Sequence, residues 1–318
     1  MRAAVVSAFD RPPRYEDVDE PEASGPDEVV VEVLAAALSR RVLSQADGSH
    51  YTSDGVLPLV PGVDGVGRDP EGRLRYFVLP DTTLGSMAER TLVDLRRSVE
   101  LPEDADPVLV AAGMNPAMSS WVALRRRTSF APGQKVLVLG ATGSAGRIAV
   151  QVARDLGASS VVAVGRDPAG LARLAAAGAD VAVDLSLPET AAAALAEAGA
   201  DVDVVLDYLW GEPTATALRA IVPARADDDQ PLTWIQIGAV AGLESPIPSA
   251  ALRATRLSII GSGQGSVPLR DIVAELRVLA VEVGSGRFAI HPRVVPLREV
   301  ERAWTELPST TDRLVLVP

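Results

Sequence analysis

The stretch KVLVLGATGSAGRIAVQVARDLGA, Lys135 to Ala158, runs from a short apolar strand through a glycine-rich turn into an amphipathic helix. Glycines 140, 143 and 146 fall on that turn. Gly143 lets the main chain approach a pyrophosphate, Gly146 lets the helix pack closely on the strand, and the free N–H groups of the helix start favour an anion. Gly140, Ala141, Thr142, Gly143, Ser144, Ala145 and Gly146 are therefore the candidate phosphate cradle, with Ala141 standing where the strict fingerprint has a glycine. A tight turn without a nucleotide is the alternative. The regular pattern on either side argues against it.

Downstream the alternation continues. Helix Ser144–Leu156 leads to strand SVVAVG, helix Pro168–Ala177, strand VAVDL, helix Pro188–Ala198, strand VDVVLDY, a helix near Pro213–Ile221, strand TWIQIG and strand RLSIIG. Six nearly continuous apolar strands joined by helices predict an α/β fold, a doubly wound parallel sheet buried on both faces. Asp227, Asp228 and Asp229 mark a solvated loop before the fifth strand.

Upstream the pattern is different. Ala3–Ser7 and Glu28–Leu34 read as strands, and between Gly48 and Gly72 six glycines and three prolines exclude helix, so the first stretch reads as all-β. Val108–Ala123 is helix-compatible, with a break expected near Asn115-Pro116. After Gly265 a helix (Pro268–Val283), a strand (Phe288–Val295), a helix (Arg298–Leu307) and a strand (Arg313–Val317) leave the alternation and are expected to return to the first domain. The division is then 1–118, 119–265 and 266–318, the parallel-sheet domain being inserted into a β-rich one.

Length and composition suit two globular domains: 318 residues, 47% hydrophobic and 23% charged. A net charge of −12 argues against nucleic acid and anionic membranes as partners. The chain has no Cys and two His, His50 and His291, which removes disulfides, thiolate nucleophiles and cysteine-ligated metal; no metal is expected. The first apolar run is too short for a signal peptide, and no run of about 20 apolar residues is uninterrupted. A cytoplasmic location is expected.

About 20 residues beyond the turn, where an NAD site places a carboxylate on the ribose hydroxyls, stand Gly165 and Arg166. Without the carboxylate a 2′-phosphate is not repelled, and a guanidinium can pair with it, which favours NADPH. Lys135 is the only lysine, so in this Arg-biased chain Arg166 can also be an ordinary surface residue, and Asp167 an alternative acidic partner.

PGVDGVG, SMAERTLVD, GMNPAMSSWVAL, KVLVLGATGSAGRIAVQVARDLGA and VPLREVERAW together give the whole chain a resemblance to the medium-chain dehydrogenases and reductases, in their zinc-independent quinone oxidoreductase branch. The resemblance implies a GroES-like catalytic domain, a Rossmann domain, NADPH in the cleft between them, and a homodimer joined through the last strands of two Rossmann sheets. Zinc members carry Gly-His-Glu where this chain has Gly62-Val63-Asp64; Val63 cannot ligate. Ser39 and Val42 stand where the branch commonly shows Asn and Asp.

The candidate site follows. Ser119 falls where relatives place a Thr on the cofactor, or is a helix-surface serine; Asn115 binds a substrate carbonyl or caps the second half of a broken helix. Tyr208 and Trp210 end a strand at the rim where nicotinamide lies, and Tyr208 can donate a proton or simply pack. Gly238, Gly261 and Gly263 end the last two strands, where relatives hold the carboxamide through backbone groups. His50 and Tyr51 lie in the loop that faces the cleft in relatives, and both can donate a proton. The expected activity is NADPH-dependent reduction of an activated double bond or a quinone without metal. Imine or carbonyl reduction in a biosynthetic pathway, or a non-catalytic NADPH-binding redox sensor, are the alternatives.

Overall fold

The computed structural model describes residues 1–307 and 312–318 and divides into two units, 1–115 with 273–318, and 116–272. In the first unit β1 (Arg2–Val5) pairs with β2 (Arg14–Asp17), and β3 (Glu28–Ala37) is long enough to pair with three other strands. β4 (Asp64–Arg68), β5 (Leu74–Val78) and β7 (Ser98–Glu100) follow β3 across the sheet, while β6 (Arg90–Asp94) pairs with β3 as well. Val31, Val33, Leu38, Phe77, Met87 and Val93 fill the core of this unit.

The all-β expectation for the first stretch is corrected by α1 (Arg40–Ala46). Ser39, read above only as a departure from the branch, caps it, its hydroxyl accepting from the Val42 N–H at 3.3 Å. Seven residues are too few to display a helical period, so the cap was the only local signal. Gln45 on its buried face accepts from the Gly62 N–H at 3.0 Å, tying α1 to the PGVDGVG turn.

A second correction concerns α2 (Pro107–Val122), which runs without a break through Pro116. Residues 110–114, 116–117 and 120–124 are buried, and this burial outweighs the one backbone bond that proline removes. Asn115 is therefore mid-helix and caps nothing. The helix continues into a π-helical turn, Ala123–Arg127. Pro107–Arg127 is long and apolar enough to cross a membrane by length and composition, but most of it is buried within the protein.

In the second unit β8 (Lys135–Leu139), β9 (Ser160–Gly165), β10 (Val181–Asp184), β11 (Val204–Asp207), β12 (Leu232–Gln236) and β13 (Leu257–Gly261) form one sheet in the order β10-β9-β8-β11-β12-β13, every pair parallel. The sequence predicts this sheet, and the order reverses beside β8, the switch point where such sheets place ligands. Helices α3 (Ser144–Asp155), α4 (Pro168–Ala176), α5 (Pro188–Gly199), α6 (Gly211–Ala224) and α7 (Ala251–Ala254) connect the strands. Leu137, Leu139, Val162, Val205, Leu218 and Trp234 belong to its buried core.

The last segment contributes α8 (Leu269–Gly284), β14 (Pro292–Pro296), α9 (Val300–Glu306) and β15 (Arg313–Val317). β15 pairs antiparallel with β3 and parallel with β14, so the chain does return to the sheet of the first unit. Strand β14 begins later than the sequence pattern suggests. Both junctions between the two units lie inside helices, α2 and α8, a few residues from 118/119 and 265/266.

Candidate functional site

The turn after β8 is built by backbone bonds. The N–H groups of Gly140 and Ala141 both donate to the Val164 carbonyl at 2.9 Å, and Gly140 takes a φ of +92°, a conformation that favours glycine. Ala141 is fully buried, so the substituted position carries a methyl without loss of the turn. At Gly146 an added Cβ would lie 2.2 Å from the Gly140 carbonyl oxygen, whereas at Gly143 it would meet only that oxygen, at 3.4 Å. Gly143 and Ser144 are exposed, and no side chain caps the start of α3. That uncapped, glycine-lined turn fits the pyrophosphate of a dinucleotide.

Gly165 and Arg166 follow at the end of β9. A Cβ at Gly165 would lie 2.7 Å from Cγ2 of Thr142, so the cradle's own threonine occupies the space that a carboxylate side chain would need. Arg166 is exposed.

At the end of β11 the structure brings Ser119 and Tyr208 together, hydroxyl to hydroxyl at 2.9 Å. The Ser119 hydroxyl also reaches the Pro116 carbonyl at 2.7 Å, which only a donor can satisfy, so Tyr208 donates to Ser119. Burial pushes the Tyr208 phenol up to about 12, with Ser119 and Ser120 opposing. Gly238 passes so close that a Cβ would lie 2.8 Å from the Tyr208 carbonyl. The Gly261 carbonyl accepts from Arg127 at 2.7 Å, and the Gly263 N–H donates to Ser266 at 2.8 Å.

Sequence reasoning missed Asp207. Its fully buried carboxylate accepts from the N–H groups of Leu209 and Trp210, both at 2.9 Å, from Thr214 at 2.5 Å and from the Trp234 indole at 2.9 Å. This holds Trp210 at φ 56°, among the described residues the only non-glycine at positive φ. The signal present in the sequence was an acid closing an otherwise apolar strand.

His50 and Tyr51 belong to the other unit, their rings 4.3 Å apart between centroids. Tyr51 is 71% exposed. The Thr52 N–H lies 3.3 Å from Nδ1 of His50, so that nitrogen accepts. It also lies 2.6 Å from the Thr52 hydroxyl, and Thr52 in turn accepts from Nη2 of Arg41 at 3.2 Å. This chain leaves the proton on Nε2 of His50. Arg41 is held by Asp81 at 2.8 Å. Burial, then the Arg41 charge, press the imidazole down to about 4, Asp81 opposing, so His50 is neutral at pH 7. Between about pH 6.5 and 4 the unfolded chain takes up this proton before the folded one, and stability falls as pH falls.

Asp64 works in the opposite sense. Buried and accepting from the Tyr76 hydroxyl at 2.8 Å, it is raised to about 6 by burial, with Tyr76, Arg313 and Arg41 opposing. Because the two groups offset each other over one window, His50 is best followed directly. Its imidazole carbon-bound protons, resolvable by NMR in a chain with two histidines, are expected to titrate near 4; a midpoint near 6.5 would break the Arg41–Thr52–His50 assignment. Val63, beside Asp64, packs on the core, and no cluster of three potential metal ligands occurs among the described residues.

No protein-family model matches the chain. It is 31% identical over 359 residues, covering all of both chains, to "Probable NADPH-dependent quinone reductase tdiC" of Emericella nidulans. It is 30% identical over 174 residues, half of this chain and 45% of the relative, to the chloroplastic NADPH-dependent alkenal/one oxidoreductase of Arabidopsis thaliana. Among solved structures it matches the quinone oxidoreductase of Thermus thermophilus, described also in its complex with NADPH, at 30% identity and TM-score 0.80 over the whole of both chains. End-to-end coverage at these identities leaves one assignment: the chain belongs to the quinone oxidoreductase branch of the medium-chain dehydrogenase/reductase superfamily.

Proposed function

We propose that this protein is an NADPH-dependent reductase that passes hydride, without metal, to the electron-poor carbon of an α,β-unsaturated carbonyl or to a quinone. The observation that carries the reading is the full-length similarity to an NADPH-dependent quinone reductase, in a chain whose uncapped α3 turn and Gly165-Arg166 pair suit that dinucleotide. NADPH, when bound, supplies the hydride. The cradle from Gly140 to Gly146 holds its pyrophosphate, and Ser119, Gly238, Gly261 and Gly263 line the rest of its path.

The acceptor carbon is already activated by conjugation with its carbonyl, so the protein's task is to stabilise the oxyanion that develops. His50, neutral and with its proton on Nε2, does this as a hydrogen-bond donor rather than as a general acid. Asn115 offers an amide for the same carbonyl. Tyr51, exposed and with its ring beside that of His50, is the proposed proton donor. A homodimer joined through β13, which is hydrogen-bonded on one edge only within its sheet, and a cytoplasmic location complete the proposal.

The test is steady-state NADPH consumption with a panel of quinones and enones, repeated for Tyr51→Phe, Tyr208→Phe and His50→Ala on one enone. A positioned acid contributes about a hundredfold to ten-thousandfold. Tyr51→Phe is expected to lose turnover on that scale with its NADPH affinity intact, and Tyr208→Phe to change mainly stability or KM. Turnover within about threefold for all three variants would make bulk water the donor. No turnover anywhere in the panel, with NADPH still bound, would favour the redox-sensor alternative.

A further inference from the structure

The first turn of α3 carries a charged group for which the protein provides no sufficient partner. Arg147 is half-buried, and its Nε is fixed on the Thr142 carbonyl at 3.0 Å. Its two terminal nitrogens have no hydrogen-bond or ion-pair partner among the described residues. Burial lowers its pKa, the Arg173 charge lowers it further, and Asp167 only partly compensates. Asp167 is itself shared, lying 3.7 Å from Nη2 of Arg173. Arg166, the neighbour of Asp167, is exposed, and no partner for it occurs among the described residues.

Arg147 and Arg173 thus share one carboxylate at the mouth formed by the end of β9, the start of α4 and the first turn of α3, and Arg166 precedes that carboxylate in the chain. Thr142 holds these elements together: a Cβ at Gly165 would lie 2.7 Å, and one at Gly170 3.1 Å, from its Cγ2. The net excess of two positive charges matches a phosphomonoester, which carries about −1.5 to −2 at pH 7. Like charges held together in a half-buried turn raise the energy of the empty protein, and a dianion between them relieves it.

We propose that Arg147, together with Arg166 and Arg173, clasps the 2′-phosphate of the cofactor's adenosine ribose, and that Arg147 is the main determinant of NADPH over NADH. This rests on the NADPH reading above and names the residues that would enforce it. Arg147 outweighs Arg166 for two reasons. It is less exposed, so water and salt screen it less. Its side chain is already ordered by the Thr142 carbonyl, so little freedom is lost on binding. Asp167 sets the clasp against over-tight binding by cancelling one positive charge.

The experiment is equilibrium titration of wild type, Arg147→Met, Arg166→Met and Asp167→Asn with NADPH, NADH, 2′,5′-ADP, 3′,5′-ADP and 5′-ADP, with melting curves of the ligand-free proteins. Arg147→Met is expected to weaken NADPH and 2′,5′-ADP by about tenfold to hundredfold while NADH and 5′-ADP stay within about twofold. Its ligand-free Tm should equal or exceed that of wild type, since a repulsive charge has gone. Arg166→Met should lose less, and Asp167→Asn should bind 2′,5′-ADP more tightly than wild type. Equal losses for both dinucleotides, a larger loss at Arg166, a lowered ligand-free Tm at Arg147, or a 3′,5′-ADP affinity matching that of 2′,5′-ADP would each overturn the clasp. A wild type that binds neither dinucleotide would instead refute the cofactor reading; one that binds NADH as well as NADPH would refute the clasp alone.

Discussion

Gly143→Val is expected to melt with the wild type and to lose nucleotide affinity by more than about a hundredfold, while Gly146→Ala is expected to do damage of the opposite kind. The reason is in the surroundings of the two missing side chains. A Cβ at position 143 meets one carbonyl oxygen at 3.4 Å, an ordinary contact, and the position opens to solvent where a pyrophosphate would lie. A branched side chain there leaves the fold intact and takes the phosphates' place. A Cβ at position 146 would stand 2.2 Å from the Gly140 oxygen and 2.7 Å from Cα of Ala141, both backbone atoms that cannot yield without moving α3 off β8. Overpacking of that kind costs about 1–3 kcal/mol or more. Thermal melting and NADPH fluorescence titration of both variants separate the effects. Wild-type affinity in a folded Gly143→Val protein would remove the turn from the binding site altogether.

Asp207→Asn should be the most damaging near-isosteric change at the rim of the parallel sheet. Its two oxygens accept from four donors: the Leu209 and Trp210 N–H groups on one, Thr214 and the Trp234 indole on the other. An amide offers one oxygen and one NH2: with the oxygen on the two backbone N–H groups the Thr214 hydroxyl can turn to accept, but the Trp234 indole N–H, a donor only, is left facing a donor. Removing one side of a buried polar network costs about 2–5 kcal/mol. For a unit of this size that corresponds to a fall in Tm of roughly 5–15 °C. The turn that keeps Trp210 at φ 56° should relax as well, since strain persists only where the surroundings over-determine it. Weaker cofactor binding is therefore expected alongside the lower Tm, through movement of Tyr208 away from Ser119. A Tm within about 2 °C of wild type would show that the carboxylate is not what holds this turn.

The parallel sheet was legible in the sequence because its signals are local. Strands buried on both faces must be apolar throughout, their glycines must stand where helix and strand touch, and KVLVLG running into GATGSAG states both conditions within a dozen residues. The return of the last segment to the first sheet was also readable, since the alternation stops after Gly265. Helix α1 was not readable, because seven residues carry too little periodicity and their glycine- and proline-rich surroundings point to loops. Nor was the continuity of α2. Proline at position 116 predicts a break from local backbone chemistry, and only burial on nearly every side, a property of the folded unit, outweighs it.

The functional residues divide in the same way. Gly140, Gly143, Gly146, Gly165 and Arg166 lie within one short βαβ unit, where spacing along the chain fixes spacing in space, so the sequence by itself determined the glycine turn and the absence of a carboxylate at position 165 beside it. Asp207 with Trp234, Thr52 between Arg41 and His50, and Arg147 in the field of Arg173 join residues whose interactions cross from one element to another. What each of these groups does depends on which of its atoms is left without a partner. The side chains brought up by neighbouring elements decide that, so the tautomer of His50, the engaged proton of Tyr208 and the uncompensated charge of Arg147 became readable only in the tertiary structure.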